Sequence, residues 1–242
     1  QNYDGSANNI AVGYQSGKYI TTSIQNVLIG AFAGDALTTG GGNVAIGYQA
    51  LSSEDENGTS VAIGLNSLSQ QNAGANSYNV AVGYLSGTAV TTGTHNTLIG
   101  GEAGDALTTG THNVAVGYQA LSTEDAHGKN VAIGNFALQD LNAGADAANV
   151  AVGYNAGAEM TTGTQNTIMG SWAGDAITTG SGNTAIGFQA LSTEDTHGTN
   201  TAIGYRALKV QDAGANAHNV AVGYNAGVSV STGIQNTLIG NT

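Results

Sequence analysis

The stretch Asn-Val-Ala-Val-Gly-Tyr-Gln-Ala-Leu at residues 113–121 decides the fold, because versions of it recur along the whole chain. Its first position returns at residues 9, 26, 43, 60, 79, 96, 113, 130, 149, 166, 183, 200, 219 and 236, always as Asn except for Ser60. The copies are spaced by 17, 17, 17 and 19 residues, so a longer repeat of 70 residues begins at Asn9, Asn79, Asn149 and Asn219. A short fixed period within a longer one is typical of a solenoid or fibrous array.

Each copy has the pattern of a short strand followed by a tight corner. Side chains alternate along a strand, so Val114 and Val116 point to one side and Ala115 to the other. β-Branched residues favour this pleated conformation, and Gly117 suits a corner because glycine adopts backbone angles that other residues avoid. The sequence therefore predicts an all-β chain: a parallel β-solenoid of about 14 coils that stack roughly 4.8 Å apart. We expect residues 1–242 to form one repeat array, with the Asn column bonded as an amide ladder.

Both sides of the predicted strands are apolar, which raises the question of what covers the second side. We expect the Val and Ile side chains to fill the interior of each coil and the small Ala column to pack against a sister chain. The predicted contact residues are Ala45, Ala81, Ala115, Ala151, Ala185 and Ala221. This interpretation favours a homotrimer, and a monomeric solenoid is the alternative.

Composition excludes several classes of function. The chain has 242 residues, 38 of them Gly, no Pro or Cys, four basic residues and a net charge of −12. So few basic residues cannot neutralise phosphates, so we expect no nucleic-acid binding. No run of 18 apolar residues exists, so we expect no membrane insertion. Polar residues recur with the period instead of converging in one pocket, so we predict no enzymatic activity.

The acidic turns are the candidate ion ligands. In the predicted stack Asp105 lies one coil from Glu124 and Asp125, and oxygen clusters of this kind can hold Ca²⁺. The alternative is that these carboxylates are solvated turn residues that keep the fibre soluble. His127 and His197 follow Glu-Asp at equivalent positions and are read either as a metal site around a symmetry axis or as exposed turn residues. We predict no other cofactor.

Aromatic residues follow the corner glycines and are the candidate binding residues. Tyr48 and Tyr118 stand directly after a corner, and Trp172 takes the position that Glu102 holds one repeat earlier. We interpret the tyrosines either as a cover for the edges of the coils or as platforms for sugars. Trp172 and Phe32 are interpreted as surface residues.

The Asn-x-Ala-(Ile/Val)-Gly core resembles the head repeats of trimeric autotransporter adhesins, the YadA-like proteins. The longer phrase at 113–121, with the Thr-Thr-Gly-x-x-Asn units, is similar to repeats of bacteriophage tail fibres. The resemblance covers the whole chain, although the unit here is longer than the usual adhesin head repeat and no chaperone, neck or stalk is present. It implies a left-handed β-roll and a homotrimer.

We therefore expect a structural segment of a phage tail fibre or a cell-surface adhesin, on a virion tail or a bacterial surface. Both ends fall within a coil and carry no cap, so we expect an excerpt of a longer fibre that self-associates along its axis. A receptor or glycan would be contacted through parts outside this sequence. The alternatives are an ice- or glycan-binding solenoid and an extracellular filament subunit.

Overall fold

The computed structural model describes residues 7–241, and the predicted fold class is confirmed. The chain is all-β, with 14 parallel strands stacked as a β-solenoid of about 14 coils. No α-helix occurs within residues 7–241, and so that range offers no helix suited to crossing a bilayer. The chain divides into two compact units, residues 1–116 and residues 117–242.

The first unit contains seven strands of three residues each. They are β1 (Ile10–Val12), β2 (Val27–Ile29), β3 (Val44–Ile46), β4 (Val61–Ile63), β5 (Val80–Val82), β6 (Thr97–Ile99) and β7 (Val114–Val116). Each strand pairs in parallel with the next along the chain, in the register that the repeat spacing predicts. Val44 pairs with Val61 across 17 residues, and Val61 with Val80 across 19.

The second unit repeats this arrangement. Its strands are β8 (Val131–Ile133), β9 (Val150–Val152), β10 (Thr167–Met169), β11 (Thr184–Ile186), β12 (Thr201–Ile203), β13 (Val220–Val222) and β14 (Thr237–Ile239). All consecutive pairs among them are parallel and in register. The two extra residues of every fourth coil lie outside the strands, so the insertion leaves the register intact.

The middle residue of each strand points into the coil, and the prediction about the Ala column is therefore wrong. Six side chains proposed as contacts with a sister chain are fully buried within their own chain: Ala45, Ala81, Ala115, Ala151, Ala185 and Ala221. The Val and Ile side chains predicted to fill the interior lie on the outside. Ile29, Ile99 and Ile133 remain 38–39 % exposed.

The middle residue of a strand is small where the opposite wall of the coil carries a large side chain. Where the strand carries Ala45, the facing corner of the same coil carries Leu51, and both side chains are fully buried. Where the strand carries Leu28, that corner is Gly34, and a Cβ on Gly34 would lie 2.8 Å from a methyl group of Leu28. In these two kinds of coil the Leu thus changes walls. A third kind carries Ala81 on the strand and Gly87 at the corner, and there Leu68 and Leu98 of the adjacent coils fill the space beside Gly87.

The Asn column forms a ladder within each unit, with a bond pattern that differs from simple amide stacking. Asn149 Oδ1 accepts the backbone N–H of Asn166 at 2.9 Å, and Asn166 Oδ1 accepts that of Asn183 at 2.8 Å. The amide group of Asn166 also donates to the carbonyl oxygen of Gly180 at 2.9 Å. Each Asn therefore satisfies buried backbone groups on two sides, which apolar residues cannot do.

Candidate functional site

The most extensive feature of the surface is an apolar strand face, formed by the first and third residues of each strand and called here the outer strand face. It presents Val, Ile, Thr and one Met, without a charged residue in any of the 14 strands. Its members Met169 and Val220 are 41 % and 36 % exposed. Antiparallel sheets often turn a polar face to water, whereas strands covered on both faces are apolar on both. The outer strand face has the composition of a covered surface.

A ladder of aromatic rings stands beside the corners of the second unit. This ring ladder consists of Tyr118, Phe136, Tyr154, Trp172, Phe188, Tyr205 and Tyr224, and its neighbouring ring centroids are 5.0–5.9 Å apart. The first five rings meet edge to face at 73–84°, and the last three are stacked within 12°. Both arrangements are favourable for aromatic pairs.

The backbone of the corners brings these rings together. Tyr118 directly follows a corner glycine, whereas Phe136 lies one position further along in the next coil. The N–H of Phe136 donates to the carbonyl oxygen of Tyr118 at 2.9 Å, and the N–H of Trp172 donates in the same way to Tyr154. Phe136 and Trp172 adopt φ values of 61° and 52°, an unusual region for aromatic residues. The repeated corner therefore holds each ring over its neighbour.

The proposed binding residues fall into two separate sets. Tyr118 and Trp172 belong to the ring ladder, where Trp172 contacts Tyr154 and Phe188. Tyr48 lies in the first unit and packs edge to face on Phe32 at 5.9 Å. Trp172 lies at the surface, as predicted, and Phe32 is half-buried; the structure adds that each ring bridges the aromatic residues of the two adjacent coils.

The acidic turns contain buried carboxylates, which the sequence analysis missed. Glu54, Glu124 and Glu194 are 0–1 % exposed, so the interpretation of the turn acids as solvated fails for them. Their place in the repeat is occupied in other coils by apolar interior residues: Leu37, Val90, Leu107, Met160 and Ile177. This alternation was the available signal, since a repeat position that holds Leu or Ile elsewhere points inward in every coil.

Two groups of side chains in the second unit have the composition of a metal site. One consists of Glu194, Asp195, His197 and Asp212, called here the Glu194 cluster. The other consists of Glu124, Asp125 and His127, with His127 Nδ1 3.3 Å from Glu124 Oε1. Within each group the candidate ligand atoms lie within 4.8 Å of one another.

The aspartates of the preceding coil are not members of these groups. Asp105, predicted as a Ca²⁺ ligand with Glu124 and Asp125, belongs to the first unit and to neither group. Its counterpart one repeat later, Asp175, shares a unit with the Glu194 cluster and is also absent from it. Desolvation raises the pKa of Asp175 to about 6, and the nearby Glu159 adds to the effect.

Burial and neighbouring charge act together on Glu194. Desolvation raises the pKa of its carboxyl to about 7, and the carboxylates of Asp212 and Asp195 raise it further, against the backbone N–H of His197 and the amide of Asn200. A carboxyl group in this environment holds a proton up to neutral pH, unless a cation takes the place of the proton.

An apolar depression in the second unit has a simple structural origin. It is lined by residues such as Val230, Leu238 and Ile239 of the last described coils. Leu238 is equivalent to the interior residues Leu28, Leu98 and Ile168, which the following coil covers. The depression is therefore the uncovered interior of the solenoid, and its lining carries no titratable side chain.

Comparison with known proteins leaves the site to be read from its own residues: no protein-family model, no curated protein and no solved structure matches this chain.

Proposed function

We propose that this chain is a structural segment of an extracellular fibre, a tail-fibre shaft or surface adhesin, whose copies associate through the outer strand face. The observation that carries the proposal is the composition of that face: its outward strand positions hold Val, Ile, Thr and one Met, and none of them is charged. The chain is otherwise acidic, with a net charge of −12, so the absence of charge on this face is a local property.

The extent of the face supports association. Seven strands of three residues cover about 34 Å by 10 Å in each unit, or roughly 300 Å², at the usual strand spacing and rise. A contiguous patch of that size matches the largest apolar patch of a typical monomer, which is often functional. The resemblance to autotransporter heads and tail fibres implies a homotrimer. In such an assembly the outer strand face of each solenoid would be covered by a neighbouring copy.

The test is the mass of the assembly. Sedimentation velocity at micromolar concentration should give a trimer for the unmodified chain and a smaller species for Ile133→Glu, which places a charge on the outer strand face. The matched control is Asn142→Glu, in an exposed turn away from the strands. Circular dichroism should show that both variants keep the strand signal. A monomeric unmodified chain, or an Ile133→Glu variant that remains trimeric, contradicts the proposal.

The ring ladder favours a second candidate function, the binding of a glycan chain along the second unit. Sugar rings present C–H groups that pack on the electron-rich faces of aromatic rings. Tyr154 and Trp172, at the middle of the ladder, are 43 % and 36 % exposed and so have surface to offer. Trp172→Ala should weaken glycan binding about 2- to 10-fold, the range expected from 0.5–1.5 kcal/mol per aromatic contact.

This second candidate is tested by affinity electrophoresis against immobilised polysaccharides. Tyr78→Ala is the control, because Tyr78 is 52 % exposed but lies outside the ring ladder. If Trp172→Ala and Tyr78→Ala bind the polysaccharide equally well, the glycan-binding function is contradicted and the proposed fibre function is unaffected.

A further inference from the structure

The buried carboxylate of Glu194 occupies a place that the repeat normally gives to an apolar side chain. The coil before it carries Ile177 there, and the coil after it carries Gln211, and all three side chains are fully buried. A carboxylate without compensation is costly in such a place. Its surroundings must therefore supply donors, a proton or a cation.

The first 70-residue repeat shows how the protein satisfies this carboxylate with its own donors. Glu54 Oε1 accepts the backbone N–H of Asn57 at 3.2 Å, and its Oε2 accepts the side-chain amide of Gln71 at 3.0 Å. Both oxygens are therefore paired. Position 57 is Asn and position 72 is Asn, so this copy lacks the counterparts of His197 and Asp212.

The third repeat leaves the equivalent carboxylate incomplete. Glu194 Oε2 accepts the side-chain amide of Asn200 at 3.3 Å, but Glu194 Oε1 is buried and completes no hydrogen bond, although the backbone N–H of His197 lies near enough to lower the pKa of the carboxyl. Gln211, the counterpart of Gln71, donates its side-chain amide to no acceptor. The side-chain amide that pairs with Glu54 in the first copy is thus present in the third copy, but there it does not bond to the carboxylate.

The unpaired oxygen lies among other potential ligands. Glu194 Oε1 is 3.8 Å from His197 Nδ1, and Asp195 and Asp212 each bring a carboxylate oxygen within 4.8 Å of the other ligand atoms. Asp212 is exposed and Asp195 and His197 are partly exposed, so the cluster runs from the core to solvent. A solvated ion can reach the cluster from that side.

We propose that Glu194, Asp195, His197 and Asp212 form a binding site for a divalent first-row transition-metal ion, with Zn²⁺ as the closest chemical match. One imidazole and three carboxylates satisfy the preference of such ions for mixed nitrogen and oxygen ligands, whereas Ca²⁺ prefers oxygen alone. In a tetrahedral site with ligand bonds of about 2.0–2.2 Å, two ligand atoms lie about 3.3–3.6 Å apart, so a pair near the 4.8 Å limit of this cluster must close by up to about 1.5 Å. The exposed Asp212 side chain has the freedom to move by that amount.

The substitutions between repeats concentrate the ligands in the third copy. Position 197 is Asn57 in the first copy, and position 212 is Asn72 and Asn142 in the first and second copies. Among the three copies, only the third combines the His with a third carboxylate, that of Asp212. Metal binding would also remove the cost of the buried carboxylate, since the cation replaces the proton that burial of Glu194 favours.

Isothermal titration calorimetry with Zn²⁺, on the full chain carrying His127→Asn, tests the site. The background substitution removes the imidazole of the Glu124 group, and the His197→Asn comparison separates binding at Glu194 from any binding by the stacked imidazoles of His95 and His112. We expect one Zn²⁺ to bind per chain. The affinity should fall at least about tenfold in Glu194→Gln, His197→Asn and Asp212→Asn, because the loss of even a residue that only supports a ligand has an effect of that size. His197→Asn and Asp212→Asn install residues that equivalent positions already hold, so these variants keep the fold.

Glu54→Gln is the matched control and should bind Zn²⁺ as the background chain does. Histidine NMR gives an independent measurement, since the imidazole signals of His197 should shift on addition of one equivalent of Zn²⁺. The proposal is overturned if Zn²⁺ fails to bind, if His197→Asn and Asp212→Asn bind it unchanged, or if Ca²⁺ binds at the cluster in place of Zn²⁺.

Discussion

Replacement of Asn166 by Ala should break the Asn ladder at one point in the second unit. The substitution removes the oxygen that accepts the N–H of Asn183 at 2.8 Å and the amide group that donates to Gly180 O at 2.9 Å. Asn166 and Asn183 are both about 1 % exposed, so water cannot replace these bonds without opening the coil. The bond from the N–H of Asn166 to Asn149 Oδ1 involves the backbone of residue 166 and survives.

The expected loss follows from the two backbone groups left unpaired. Each buried group without a partner costs about 1–3 kcal/mol, so Asn166→Ala should lower the free energy of unfolding by about 2–6 kcal/mol. Asn142→Ala is the control, because Asn142 lies exposed in a turn, and a substitution there should change the free energy by less than about 0.5 kcal/mol.

Urea unfolding followed by circular dichroism measures the difference, and hydrogen exchange locates it. The amide of Asn183 should lose protection in Asn166→Ala, whereas the amide of Asn166 should keep more of it. A loss below about 1 kcal/mol, or unchanged exchange at Asn183, would show that the ladder is not what satisfies these backbone groups.

Three further predictions concern the interior, a corner and the buried acid. Ala185→Leu should lower the free energy of unfolding by about 1–3 kcal/mol through overpacking, measured by thermal unfolding, because Ala185 is fully buried in its own coil. An unchanged melting temperature would mean that Ala185 faces outward after all. Gly153→Ala should cost more than about 1 kcal/mol in the same assay, since its φ is 141° and a Cβ would lie 2.6 Å from the carbonyl carbon of Gly170. A stable Gly153→Ala variant would show that the corners are free to separate. In metal-free buffer with chelator, raising the pH from about 4.5 to about 7 should lower the stability by up to about 3 kcal/mol, because folded Glu194, with its pKa raised from 4.5 to about 7, holds a proton that the unfolded chain releases. Glu194→Gln should remove most of that slope in urea unfolding at pH 5 and pH 8, leaving the part due to Asp175, and an unaltered slope would assign the effect to other groups.

The repeat spacing determined the fold class and the register. Intervals of 17 and 19 residues left only a stack of coils in which equivalent positions pair, and Val61 pairs with Val80 as the longer interval requires. The corner glycines were also predicted, from the backbone angles that a tight corner needs, and the structure adds that close contact between neighbouring corners leaves no room for a Cβ. The Asn column was recognised as a ladder, although its bonds to backbone N–H groups needed the structure.

The sequence could not decide which apolar side of the strand is the interior. Alternation places Ala115 on one side of the strand and Val114 and Val116 on the other. Both sides are apolar, so alternation alone does not say which of them faces the interior. The tertiary structure decides through volume: Leu51 and Leu121 enter from the facing wall, so only a small residue fits between them and the strand. Where that wall carries Gly34, the strand carries Leu28, and where it carries Gly87 opposite Ala81, leucines of the adjacent coils fill the space.

The two candidate sites depend on contacts between coils that periodicity does not specify. Tyr154 and Trp172 occupy different positions in their repeats, and the backbone bond between the two residues brings their rings together. Glu194 looks like a turn acid in the sequence, because Asp195 and His197 beside it are polar. The stack of coils turns its side chain inward, and the burial of that carboxylate follows from the position of Ile177 and Gln211 above and below it.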